Sequence, residues 1–188
     1  EENYRIAVKL KDQLEKLGLK VELTRDLDEI VNSYGEDGRL ERAYSKHARY
    51  YINIEMKSAT NVNLRGTDIV YSSFSSNRMA STVLKSIVEN TSLTYAREAT
   101  GSASGTSTGE DGMAYDGQKI IRESGGRILG AGTFTEVSRQ NQAFAAENRY
   151  GMQALTIQYL FLSNEADVAA WQNELDAIAE ATAAGLAK

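Results

Sequence analysis

The chain has 188 residues, 41% of them apolar, and a net charge of −5 at pH 7 with acidic and basic residues interleaved. That balance fits one globular domain with a sizeable core, argues against wholesale disorder, and offers no basic stripe of the kind nucleic acid binding needs. No apolar run approaches the roughly 20 residues that span a bilayer, and the absence of cysteine removes disulfides, thiolate metal sites and a cysteine nucleophile.

Residues Asn3 to Leu17 set Ala7, Leu10, Leu14 and Leu17 at helical spacing, with Gly18 where a C-terminal cap belongs. No basic and apolar leader precedes this helix, so the chain is expected to be cytosolic or an already processed exported fragment. "LKVELTR" alternates Leu19, Val21 and Leu23, the pattern of a strand over Leu19 to Arg25. After the turn-rich "SYGEDG" a second helix is expected over about Arg39 to Arg49, then a strand in "YYINIEM" and another from Gly66 to Ser73. "SSNRMASTVLKSIVEN" places Met79, Val83 and Ile87 on one helical face.

From Ala99 to Gly117 glycine, serine and threonine dominate without an apolar period, which reads as a long loop. "FTEVSRQNQAFAAENRYG" has a pattern that could be helical, and "ALTIQYLF" is a strand. In that strand Leu155, Ile157 and Tyr159 are expected to face one helical layer, with Thr156 and Gln158 on the opposite side. The final helix starts with Ser163 or Asn164 as N-cap and runs Val168, Trp171, Leu175, Ile178 and Thr182 along one face. Alternation of this kind predicts an α/β sandwich around a largely parallel sheet.

Short motifs add little. "GTSTG" has the form of a nucleophile elbow around Ser107, yet no strand leads into it, and the sole histidine, His47, lies upstream of the serine. "GGRILGAG" lacks the lysine and hydroxyl residue of a phosphate loop. His47 falls near the end of its helix, where a solvated surface role is expected.

Taken together, "YRIAVKLKDQLEKLGLKVELTRD", "RGTDIVYSS" and "FLSNEAD" resemble the zinc-dependent N-acetylmuramoyl-L-alanine amidases that cleave bacterial peptidoglycan. Arg39 and Ala43, ahead of "YYINI", fall where that family has an arginine and an alanine. The resemblance implies a single amidase-like domain over residues 1–188, with an insertion at about 97–148. It also implies a twisted, mostly parallel sheet flanked by helices on both faces, the family's opening strand being missing from this sequence. Family members hold zinc with two histidines and a glutamate and use a further glutamate as general base. By register the ligand glutamate would lie just before Glu1, with Glu1 or Glu2 able to replace it only after a shift. Glu55, in "INIEMKS", stands at a zinc-histidine position. Gln158, in "IQYLFLSN", stands at the general-base position, Leu160 replaces a glycine and Gln153 a proline. Arg65 and Asn164, in the two most similar words, are carried over as binding residues.

An amide cannot take a proton from water near neutral pH, so Gln158 can orient a ligand but cannot be the base. Glu55 reads first as a solvent-facing carboxylate and second as a ligand for a hard cation such as calcium or magnesium. Gln158 and Glu55 are expected to be neighbours, joined by a hydrogen bond or a shared water.

The resulting expectation is a catalytically inactive, extracellular or wall-located bacterial domain that needs no cofactor and binds peptidoglycan or a wall protein partner. The rival is a functional zinc amidase cleaving the bond between muramic acid and the peptide stem, seen here as a truncated or mutated chain. A third reading is a structural module whose insertion makes contacts, with Met113 and Tyr115 as a contact patch.

Overall fold

Ile6, Leu10 and Leu14 form the buried line of α1 (Glu2–Lys16). Leu17 does not extend it, because the chain turns away there: Gly18 adopts φ 83°, and the N–H groups of Gly18 and Leu19 bond Glu15 O and Leu14 O. This is the two-bond left-handed cap for which glycine is suited. The computed structural model describes residues 1–33, 37–71, 77–96, 109–114 and 152–188.

Leu19 to Arg25 was expected as a strand and is not one. Lys11 Nζ holds Val21 O at 3.0 Å and Arg42 Nη1 holds Thr24 O at 3.1 Å, so side chains serve these carbonyls and no described strand runs alongside. Alternation marks a segment able to be a strand, but a ladder also needs a partner that the segment does not encode. Helix α2 (Arg39–Ser45) is shorter than expected and stops before His47. His47 takes φ 53°, and the N–H groups of His47 and Ala48 bond Tyr44 O and Ala43 O, the same cap with histidine in the glycine position.

The remaining elements are β1 (Tyr50–Lys57), β2 (Asp68–Tyr71), α3 (Arg78–Asn90), a 3₁₀ turn at Gly109–Asp111, β3 (Met113–Ala114), β4 (Gln153–Phe161) and α4 (Glu165–Leu186). The sheet has the order β1-β4-β2-β3. Its β1/β4 and β2/β3 pairs are parallel and its β2/β4 pair is antiparallel, so the chain is α/β as expected, and its small sheet is mixed, with two strands in each direction where a mostly parallel sheet was expected.

Strand β3 corrects the reading of its neighbourhood as loop. Gly112, at φ 70°, brings the chain so close to β2 that a Cβ would lie 2.8 Å from Ile69 O. Met113 then enters the core beside Leu40 and Val70 and is no part of an exposed contact patch. Tyr115, Ser107 and most of the expected insertion lie outside the described residues, as does the helical pattern after Phe134.

One face of the sheet, with Ile69, Leu155, Ile157 and Tyr159, packs against α1, α3 and α4. Within it the buried Tyr159 hydroxyl donates to Thr182 Oγ1 at 3.0 Å, and Thr182 donates onward to Ile178 O at 2.7 Å. Burial pushes the Tyr159 hydroxyl pKa well up. Helices α3 and α4 approach so closely that a Cβ on Gly185 would meet Val83 Cα at 2.7 Å. The other face carries Tyr51, Val70 and Ala154 beneath Leu40, Ala43 and Tyr44 of α2. Helices therefore cover both faces. No helix among the described residues is long and apolar enough to cross a membrane.

Candidate functional site

Strands β1 and β4 run parallel in register, so partners share a face: Tyr51 with Ala154, Asn53 with Thr156, Glu55 with Gln158. Strand β2 continues two of these rows, pairing Val70 with Thr156 and Asp68 with Gln158. Polarity rises along the strands. Under α2 the row is Tyr51 and Ala154; next come Asn53, Thr156 and Val70; then the polar row of Glu55, Gln158 and Asp68, after which a bulge leads to the pair Lys57 and Phe161. This polar row lies at the C-terminal ends of β1 and β4, where parallel sheets bind ligands.

Gln158 Nε2 donates to Glu55 Oε2 at 3.2 Å, and Asn53 Nδ2 donates to Glu55 Oε1 at 2.9 Å and to Thr156 Oγ1 at 3.3 Å. Both Glu55 carboxylate oxygens thus accept from amides, and Glu55 is half-buried rather than a plain solvent-facing group. Asp68 is buried, and its Oδ1 accepts from Ile69 N at 2.9 Å. Thr156 lies on the face of Gln158 as the strand pattern implied, whereas Asn53 and Asp68 were not anticipated there. Strand parity places each on this face once the register is known, but register between distant strands is not written in any one segment.

Arg65 and Asn164 come together elsewhere, where the segment leading into β2 meets the start of α4. Asn164 is the N-cap: its Oδ1 accepts from Asp167 N at 3.1 Å and its Nδ2 donates to Val62 O at 2.8 Å. Asp167 is fully buried, with Oδ2 accepting from Gly66 N at 2.7 Å and Phe161 N at 3.0 Å. Arg65 Nε stands 3.5 Å from the other oxygen, Oδ1. Gly66 is required here, since at φ 103° a Cβ would lie 2.6 Å from Thr94 O.

Glu2 is committed elsewhere. Its carboxylate accepts from Trp171 Nε1 at 2.8 Å and from Arg5 at 2.8 Å, and these bonds hold its pKa below the usual carboxylate range. His47, exposed at the end of α2, precedes β1, whereas Glu55 lies about 16 Å along that strand from Tyr50.

The donor set of the polar row is carboxylate and amide, with no imidazole, and it does not fit zinc, which favours nitrogen and sulfur. Among the described residues no group of three His, Asp or Glu is placed to hold a metal ion. What the row can do is hydrogen-bond: it presents amide and carboxylate groups at the edge of an otherwise apolar face.

A family profile described as N-acetylmuramoyl-L-alanine amidase matches residues 1–188. Among solved structures, the catalytic domain of CwlV, an N-acetylmuramoyl-L-alanine amidase from Bacillus (Paenibacillus) polymyxa var. colistinus, is 21% identical with TM-score 0.63. That match covers 99% of this chain and 79% of the other. The amidase AmiC2 of Nostoc punctiforme is 19% identical with TM-score 0.63, covering 96% and 78%. The CwlD amidase from Clostridioides difficile, solved in complex with the GerS lipoprotein, is 16% identical with TM-score 0.60, covering 96% and 80%. No curated protein matches the sequence significantly. At these identities the solved structures establish the fold, an amidase-like α/β fold, and the profile match over the whole length establishes the family. The chain belongs to the N-acetylmuramoyl-L-alanine amidase family.

Proposed function

We propose that this is a catalytically silent member of its family, a bacterial wall domain that keeps the fold and binds peptidoglycan without cleaving it. The observation that carries the reading is the Glu55–Gln158 pair. By the resemblance, Gln158 stands where relatives have the general base and Glu55 where they have a zinc-binding histidine. The two are joined by a 3.2 Å hydrogen bond, a stable arrangement that needs no cation. Hydrolysis of an amide needs a base to activate water and a cation or donor set to hold the developing oxyanion. At the base position stands an amide, which cannot take a proton from water, and both oxygens of the neighbouring Glu55 carboxylate are engaged by the Gln158 and Asn53 amides.

Binding asks for less. A groove lined by hydrogen-bonding groups at the C-terminal ends of the strands can recognise a glycan peptide through shape and polar contacts after reactive groups are lost. Peptidoglycan as the ligand, and an extracellular or wall location, follow from the family. Binding is tested by co-sedimentation with insoluble peptidoglycan. The protein should be retained well above a control protein of similar size and charge, and retention no greater than the control would overturn the reading.

A further inference from the structure

We propose that Arg65 is the carboxylate-recognising residue of this domain, taking a free carboxylate of the peptidoglycan stem peptide on the outer edge of its guanidinium, with Asp167 as its positioning residue. The inference rests on the wall-binding reading above and names the part of the ligand that is recognised.

A fully buried carboxylate must be compensated, and that of Asp167 is: two backbone N–H groups bond Oδ2, and it sits in the first turn of α4, whose exposed N–H groups favour negative charge. Arg65 is therefore not needed to neutralise it. The guanidinium stands at a loose 3.5 Å, with Arg65 Nε and Asp167 Oδ1 both buried and neither in a hydrogen bond. No hydrogen bond of the Arg65 terminal nitrogens is present among the described residues, although the side chain is 41% exposed. With Nε buried, that exposure falls on the stem and the outer fork. An arginine backed by a buried carboxylate at ion-pair distance and open in front suits a ligand carboxylate, which it can bind through two parallel N–H bonds.

The backbone beneath is held on both sides. Gly66 N bonds Asp167, Thr67 N bonds Thr94 O at 2.7 Å, and Thr67 Oγ1 bonds Tyr159 O at 2.7 Å. Such anchoring lowers the entropy lost when a ligand is bound. Arg65 is three residues from Asp68, so its Cα lies within about 11 Å of the polar row. Two exposed apolar side chains, Val62 at 59% and Leu162 at 54%, lie in the segments adjoining Arg65 and Asp167, which are joined by the Asn164 to Val62 bond. A carboxylate beside a short aliphatic group is the chemistry of an alanine-containing stem peptide.

The test uses purified peptidoglycan freed of phosphate-bearing polymers, native and with its carboxyl groups amidated, in sedimentation binding. Wild type should bind the native wall at least tenfold more tightly than the amidated one. Arg65→Gln should bind both forms at the level of wild type on amidated wall, and Arg65→Lys should keep part of the preference. Equal binding of wild type to both forms, or a preference for native wall undiminished in Arg65→Gln, would overturn the assignment to Arg65 while leaving wall binding intact. Failure of wild type to bind either form would instead remove the wall-binding reading and this inference with it. Thermal melts check that the variants fold; if Arg65→Gln does not, Arg65→Lys decides, and an unweakened preference for native wall in that variant counts against the proposal.

Discussion

Gln158 and Glu55 are the centre of the polar row. The glutamine amide donates to a carboxylate at 3.2 Å, and Asn53 completes that carboxylate's second oxygen. Replacing Gln158 by glutamate would set two carboxylates side by side and raise their pKa values. A folded-state pKa above the unfolded one destabilises at pH 7, and the penalty fades as pH falls through the raised value. Gln158→Glu should therefore lower stability by about 1 kcal/mol near neutrality, with the gap to wild type closing toward pH 4. It should restore no amidase activity, because no imidazole returns with the carboxylate. Denaturant titrations at several pH values measure the first effect, and a wild-type stability from pH 5 to 8 would contradict the geometry. The Glu55–Gln158 contact was legible from the sequence because two separate words of the chain aligned with one family site. Asp68, in the same row, was not, since its place depends on an antiparallel register between distant strands.

At the scale of elements, helix ends were readable where their chemistry was ordinary. Gly18 ends α1 as its type suggests. Histidine at the equivalent place in α2 gave no such signal, so that helix was drawn four residues too long. A residue with a Cβ is strained at φ 53°. His47→Gly should therefore raise stability by about 0.5–1 kcal/mol, read as a higher denaturation midpoint with unchanged slope. The start of strand β4 is tied to the end of the α2 segment. Gln153 N donates to Arg49 O at 2.9 Å, a bond that the proline implied at this position by the resemblance could not make. Helix α4 is interrupted at Glu174 (φ −125°), where the carboxylate accepts from Ser92 N at 2.7 Å and from the Ser92 hydroxyl. Those bonds hold the Glu174 pKa below its ordinary value. A depressed carboxylate pKa contributes stability above the unfolded pKa and loses it as pH falls through the folded one. Glu174→Gln should cost under about 1 kcal/mol at pH 7, given solvent screening, and wild type and variant should converge below about pH 4 in thermal melts.

Across the whole molecule, what the sequence made legible is the α/β order, the packing face of β4 and the face of α4, because each follows from periodicity within one segment. The segment Leu19 to Arg25 marks the boundary of that method: its alternation is real, but no described strand pairs with it. The two-residue β3 fails for the opposite reason, since its place depends on Gly112 touching β2 and not on any local pattern. The fold that results sets apolar rows under α2 and a polar row further along the strands, so the groups of the polar row can change without disturbing the packing beneath α2. Binding and catalysis can separate in such a molecule, and the central claim is that here they have. The direct measurement is release of new alanine amino termini from purified peptidoglycan by the protein supplied with excess zinc. The account predicts no release above buffer at any zinc concentration. Zinc-dependent release that a chelator abolishes would contradict it.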